Sequence, residues 1–213
     1  MDLNELLLTP TIVALPDVHS SSLARQKAQS LLAGGRVKLF LMEFQRSART
    51  NDPHMADRYS TTLNGAISEM LDTNTSQDTA YNDLGTYFVG VNTNDAEPSL
   101  RKLAAIAIGN GVQVLACDAD YQEAQAEVSR RSGNNITPLF GALGLEVRDT
   151  AASAMVGSYL RAAREMTTGR LMLWGANHFT ENAPFGSWPD TRLQTLLQRE
   201  GFIVHVATPE EMA

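Results

Sequence analysis

Two histidines occupy equivalent places in otherwise unrelated stretches of this chain. His19 ends the turn Pro16-Asp-Val-His19, directly after the apolar run Thr11–Leu15. His178 ends Gly175-Ala-Asn-His178, directly after the apolar run Leu171–Trp174. Glu43 follows a third such run, Val37–Met42, and Asp118 a fourth, Val112–Cys117. An imidazole with a reference pKa of about 6.5 can take a proton from water near neutrality. A carboxylate beside it fixes its tautomer and stabilises the imidazolium that forms. His19, His178, Glu43 and Asp17 are therefore the candidate acid–base residues. His19, Glu43 and His178 could equally bind a divalent metal through nitrogen and oxygen, and two histidines could ligate haem. An acid after a strand is, taken singly, most often a helix cap or a solvated loop residue. Asp118 alone reads that way; four strand ends in a row carry more weight.

Such a set works only if the strands deliver it to one edge. The runs are short, apolar and ended by turn-formers, as buried strands are. Between the first two, Ser20-Ser-Ser22 offers a cap, and Ala24, Ala28, Leu31 and Leu32 repeat at helical spacing before Gly34-Gly35. Helices are also predicted from about Arg58 to Asp72, from Glu97-Pro98 to Gly109, over Tyr121–Arg130, over Asp149–Met166 and over Pro189–Arg199. A last strand covers Phe202–Val206. Thr73–Asp78 and Ser132–Asn135 read as polar loops, and Tyr81–Asn92 stays open between helix and strand. Strand–helix alternation of this kind predicts an α/β fold, a mostly parallel sheet flanked by helices, in one domain over residues 1–213. In parallel sheets ligands gather outside the carboxyl ends of the strands, where both histidines fall.

With 213 residues, 43% apolar and 19% charged, the composition is that of a folded globular chain. The net charge of −7 argues against non-specific nucleic-acid or anionic-membrane binding. No run reaches the length of a membrane span, and Asp2 and Glu5 stand where a signal peptide would be basic. A reducing cytosol, of the producing cell or of one it enters, is the expected compartment. The single Cys117 allows no intrachain disulfide and reads as a small buried residue. Esterase-elbow, zincin and Walker patterns are missing. Ser20–Ser22 are explained by capping, His54 by a solvent-facing loop, His205 by its strand, and Trp174 and Trp188 by packing.

In this order, strand–Pro16-Asp-Val-His19–helix, strand–Glu43, strand–Asp118, Arg148-Asp149 opening a helix with Met155, then strand–Gly175-Ala-Asn-His178, the chain resembles the erythromycin esterase/ChaN-like/TraB superfamily. The likeness covers nearly the whole chain, with Pro16 in place of the pattern's glycine and Asp17 in place of its glutamate. It implies an EreA/ChaN-like fold and a hydrolase site of His19, Glu43, Arg148 and His178. Arg148 and Asp118 are then expected to hold a small-molecule or host-cell target, and Arg148 and both histidines to be removable without unfolding. The resemblance further implies an effector or toxin module acting in a target-cell cytosol; a haem- or metal-binding module without turnover is the alternative.

Overall fold

Five apolar runs become five strands: β1 Thr11–Asp17, β2 Leu39–Gln45, β3 Gln113–Asp118, β4 Arg170–Gly175 and β5 Ile203–Val206. The computed structural model describes residues 1–88, 97–133, 139, 141–179, 190 and 192–213. The strands form one sheet in the order β3-β2-β4-β1-β5, and every pairing within it is parallel. The described helices are α1 Leu3–Leu6, α2 Leu23–Ala33, α3 Pro53–Arg58, α4 Leu63–Asp72 and α5 Gln77–Leu84. They continue with α6 Leu100–Gly109, α7 Tyr121–Arg131, α8 Ala142–Ala162, α9 Leu193–Arg199 and α10 Pro209–Met212.

Side-chain alternation along each strand assigns these helices to two faces. Val13, Leu15, Phe40, Met42, Val114, Leu171 and Leu173 point to one side, against Ala28, Leu32, Ile67 and Leu103 of α2, α4 and α6. Ile12, Ala14, Leu39, Leu41, Leu115, Met172 and Trp174 point to the other, against Ala152, Val156, Leu193 and Leu197 of α8 and α9. Both faces are covered, which is why the strands read as unbroken apolar runs. The chain crosses the sheet in one direction through β1, β2 and β3, then turns back through β4 and β5. A right-handed crossover sends the two directions to opposite faces. The segments leaving β2 and β4, and those leaving β4 and β1, therefore part company at the carboxyl edge, and crevices form at such points.

Several local expectations are corrected. β1 does not stop at Leu15 but carries Pro16 and Asp17. Ala14 turns its carbonyl to the β5 side, accepting from Ala207, and Pro16 faces the same way, past the last β1–β5 pair, Ala14↔Val206. The amide that proline lacks thus has no strand to bond. The helix expected over Arg58–Asp72 is interrupted at Tyr59–Thr62, where Thr62 caps α4 by accepting from Gly65 N–H. The helix expected from Asp149 begins at Ala142. Glu97-Pro98 precedes α6, whose cap is Ser99, and α5 occupies the end of the expected Thr73–Asp78 loop and the start of Tyr81–Asn92. Residues 89–92 and 134–135, the loop at 180–188 with Trp188, and the start of the Pro189 helix lie outside the described residues. No described helix is long and apolar enough to cross a membrane.

The open edge of β3 is closed by a side chain. Asn64 donates from Nδ2 to Ala116 O and accepts at Oδ1 from Ala116 N, each at 2.9 Å. The amide thus copies a strand's donor–acceptor pair on an edge that would otherwise be exposed. Asn64→Ala is expected to lower stability by about 1–3 kcal/mol, two net hydrogen bonds, in urea unfolding. An unchanged midpoint would show that water serves that edge as well.

Candidate functional site

Glu43 stands on an irregularity of its strand. The β2–β3 ladder pairs Met42 with Ala116 and next Gln45 with Asp118, so Glu43 and Phe44 lie opposite Cys117 alone. An extra residue of this kind bends the strand and re-aims its side chain. The β2–β4 ladder ends at Met42↔Leu173, and Glu43 Oε2 takes the place of a strand partner by accepting from Gly175 N–H at 2.5 Å. Glycine is needed there, because a Cβ would sit 2.8 Å from that oxygen.

The other oxygen of Glu43 meets α8. Arg148 Nη2 donates to Glu43 Oε1 at 2.5 Å and to Asp118 Oδ2 at 2.6 Å, and Arg148 Nε donates to Asp118 Oδ1 at 3.1 Å. Arg148 is 1% exposed, and the Tyr121 ring lies 5.4 Å from its guanidinium carbon. His178 closes the group from the turn Ala176–His178 that follows β4. Its Nε2 is 3.3 Å from Glu43 Oε1, its Nδ1 is in a short hydrogen bond with the fully buried Asp149, and the Trp174 ring meets it edge-on at 5.9 Å.

These contacts set the protons. Burial is the strongest single influence on His178 and favours the neutral ring, but Asp149 and Glu43 together outweigh it and push its pKa up to about 9. Burial raises Asp149 to about 6 against the pull of His178 and Arg148. Burial also works against an ionised Glu43, yet His178 and Arg148 hold its carboxyl well below the usual carboxylate range. At neutral pH His178 is thus an imidazolium held between two carboxylates, Asp149 and Glu43.

A second group sits one strand away, since Asp17 and Gly175 are register partners of β1 and β4. Arg25, on α2 and fully buried, donates from Nε and Nη2 to Asp17 Oδ2 at 3.0 and 2.9 Å. His19 Nδ1 is 3.2 Å from the same oxygen and 3.3 Å from Arg25 Nη2. The guanidinium can only donate, so the two contacts ask opposite states of Nδ1. The Asp17 hydrogen bond prevails: it raises the His19 pKa above the histidine norm against burial, helped by the charge of Glu43. The His19 side chain is 60% exposed.

The structure thus brings Asp17 and His19 together, and Glu43, Asp118, Arg148 and His178 together, with Glu43 in electrostatic reach of His19. Arg148 and Asp118, expected to hold substrate, are buried and spent on each other. Arg148 lies well inside α8 rather than at its start, and His178 is 2% exposed rather than on an open turn. The candidate metal ligands His19, Glu43 and His178 do not converge: among the described residues no three His, Cys, Asp or Glu side chains form a metal-binding group. Haem fits no better at His178, whose two nitrogens already face Asp149 and Glu43. His54 is exposed on α3, His205 contacts Glu211 and Cys117 is buried. Sequence reading missed Arg25, Asp149 and Tyr121 as partners. Arg25 aligns with Ala28 and Leu32 on the apolar stripe of α2, and Asp149 with Ala152 and Val156 on that of α8. A charge on such a stripe is the signal that would have found them.

Comparison of the chain with family models, with curated proteins and with solved structures finds no match.

Removing Arg148 would strand two carboxylates in a buried place. Arg148→Ala is expected to cost about 3–5 kcal/mol in denaturant unfolding. Arg148→Lys should recover little of it, because an ammonium cannot span both acids. A loss below about 1 kcal/mol, the range of exposed pairs, would contradict this placement.

Proposed function

We propose that the chain is a hydrolase of the EreA/ChaN-like kind that works by acid–base chemistry, with His19 as general base. The observation that carries this reading is the exposed His19 imidazole held through Nδ1 by the buried Asp17, with Arg25 locking the carboxylate. A buried acid behind an accessible imidazole is the arrangement that leaves Nε2 free to take a proton from water. Water oxygen bonds to the acyl carbon as its proton passes to Nε2. The bond to the leaving oxygen then breaks, and that oxygen receives the proton. Glu43, with 12% of its side chain exposed, is the most open of the four carboxylates and favours the His19 imidazolium as it forms. Arg148, Asp118, His178 and Asp149 fix Glu43 in place. No metal is assigned a part, since among the described residues the His, Asp and Glu donors form no metal-binding group.

Delivery into a target cell as an effector or toxin rests on the sequence resemblance. Expression inside a host cell, scored for toxicity, tests it together with the catalytic role.

His19→Ala is expected to lower activity about 10²–10⁴-fold while leaving the unfolding midpoint unchanged, because the ring is mostly solvent-exposed. A folded variant with full activity or full toxicity would remove His19 from the mechanism. The pH profile carries a sign. A base acts when deprotonated, and the Asp17 bond raises its pKa, so kcat/KM should rise with pH through an inflection above about 6.5. Asp17→Asn should move that inflection down.

A further inference from the structure

We propose that the strand-end site admits neutral or cationic acyl substrates and turns away anionic ones, an inference that rests on the hydrolase reading. Two neighbouring groups stand on that edge, one strand apart: Asp17 with the Arg25 guanidinium, and Glu43, Asp118 and Asp149 around Arg148 and His178. Both guanidiniums are buried and both close their forks on those carboxylates. Neither can turn to an incoming anion without abandoning a buried one, the costliest rearrangement open to it. The His178 ring is likewise enclosed, with Nδ1 on Asp149 and Nε2 facing Glu43.

What the site has in excess is acceptors. Asp149 Oδ2 is buried and receives no hydrogen bond, and Glu43 is the carboxylate nearest solvent. Once His19 is neutral, the state in which a base works, four negative groups face three positive ones. The next cation after β2, Arg46, is tied to Glu123. Residues 89–96, 134–138, 140, 180–189 and 191 include no Lys, Arg or His, whereas Asp95 and Glu181 are acidic. Those segments bring no positive charge to any part of the molecule. A carboxylate or phosphate close to the scissile carbonyl would meet a net negative edge on a chain of net charge −7. An amine-bearing or uncharged ester or lactone would not.

Three p-nitrophenyl esters with acyl chains of matched length test this: one neutral, one ending in trimethylammonium and one ending in carboxylate. Each kcat/KM is divided by the buffer rate of its ester, which removes intrinsic reactivity. The expected ratio is about tenfold lower for the anionic ester at low salt, narrowing as salt screens the field. An anionic ester handled as well as the neutral one overturns the proposal. If wild type surpasses His19→Ala on none of the three, the hydrolase reading fails, and the charge preference is read from binding instead. At a pH where His19 is neutral, tetramethylammonium chloride should shift the His19 ring and Gly175 amide resonances saturably, and inorganic phosphate should not. Saturable phosphate binding, or no response to the cation, overturns it on that arm.

Discussion

A guanidinium with almost no access to water governs this structure. Taking such an ion out of solvent costs several kcal/mol unless opposite charge and hydrogen bonds surround it. Arg148 meets that demand with Asp118 from β3 and Glu43 from β2. For Glu43 to reach it, β2 must carry its bulge at the right place. For the second Glu43 oxygen to be satisfied, β4 must end in a residue without a side chain, which is Gly175. His178 then follows within one short turn. One buried cation thereby fixes the relative positions of three strand ends, and register pairing of Gly175 with Asp17 extends the arrangement to the fourth.

The protons stabilise this arrangement from both sides of neutrality. Glu43 has a folded pKa below its unfolded one, so its contribution is present above the ordinary carboxylate range and is lost as pH falls through the lowered value. His178 has a raised folded pKa, so its contribution is complete below about 6.5 and is lost as pH climbs through about 9. Asp149, raised to about 6, acts in the same direction as His178. The network is therefore most secure in mildly acidic solution, and first Asp149 and then His178 weaken it as pH rises toward and past neutrality. His19, exposed at its rim, is coupled to it only through Asp17 and the charge of Glu43.

The sheet was legible because a strand covered on both faces needs an unbroken apolar run, and β1 to β4 each have one, while the shorter β5, with His205 and the exposed Ile203, was legible from its alternation with α9. The polar residues ending four of those runs were legible for the same reason: polarity that begins abruptly marks where the sheet stops. Contacts made across the fold were harder to read. Pro16 looks like a stop signal, and only the shortness of β5 reveals that a strand can absorb it. The resemblance put Arg148 at the site, but as a substrate-holding residue opening a helix; that the helix begins at Ala142 and buries Arg148 on Asp118 and Glu43 is not written in the local sequence. Arg25 and Asp149 lie on apolar helix stripes, yet local periodicity cannot say which acid or imidazole each will meet. The metal reading of His19, Glu43 and His178 was sound donor chemistry. In the structure Glu43 and His178 are engaged with one another, with Arg148 and with Asp149, and among the described residues the three donors form no metal-binding group.

His178 is held between Asp149 and Glu43 as a member of an ionic network, unlike an ordinary core histidine. Titrating the His178 ring carbon and nitrogen resonances distinguishes the two. Both ring nitrogens should stay protonated through neutral pH, with a midpoint near 9. A ring that titrates at the ordinary histidine value of about 6.5, or is already neutral there, would contradict it.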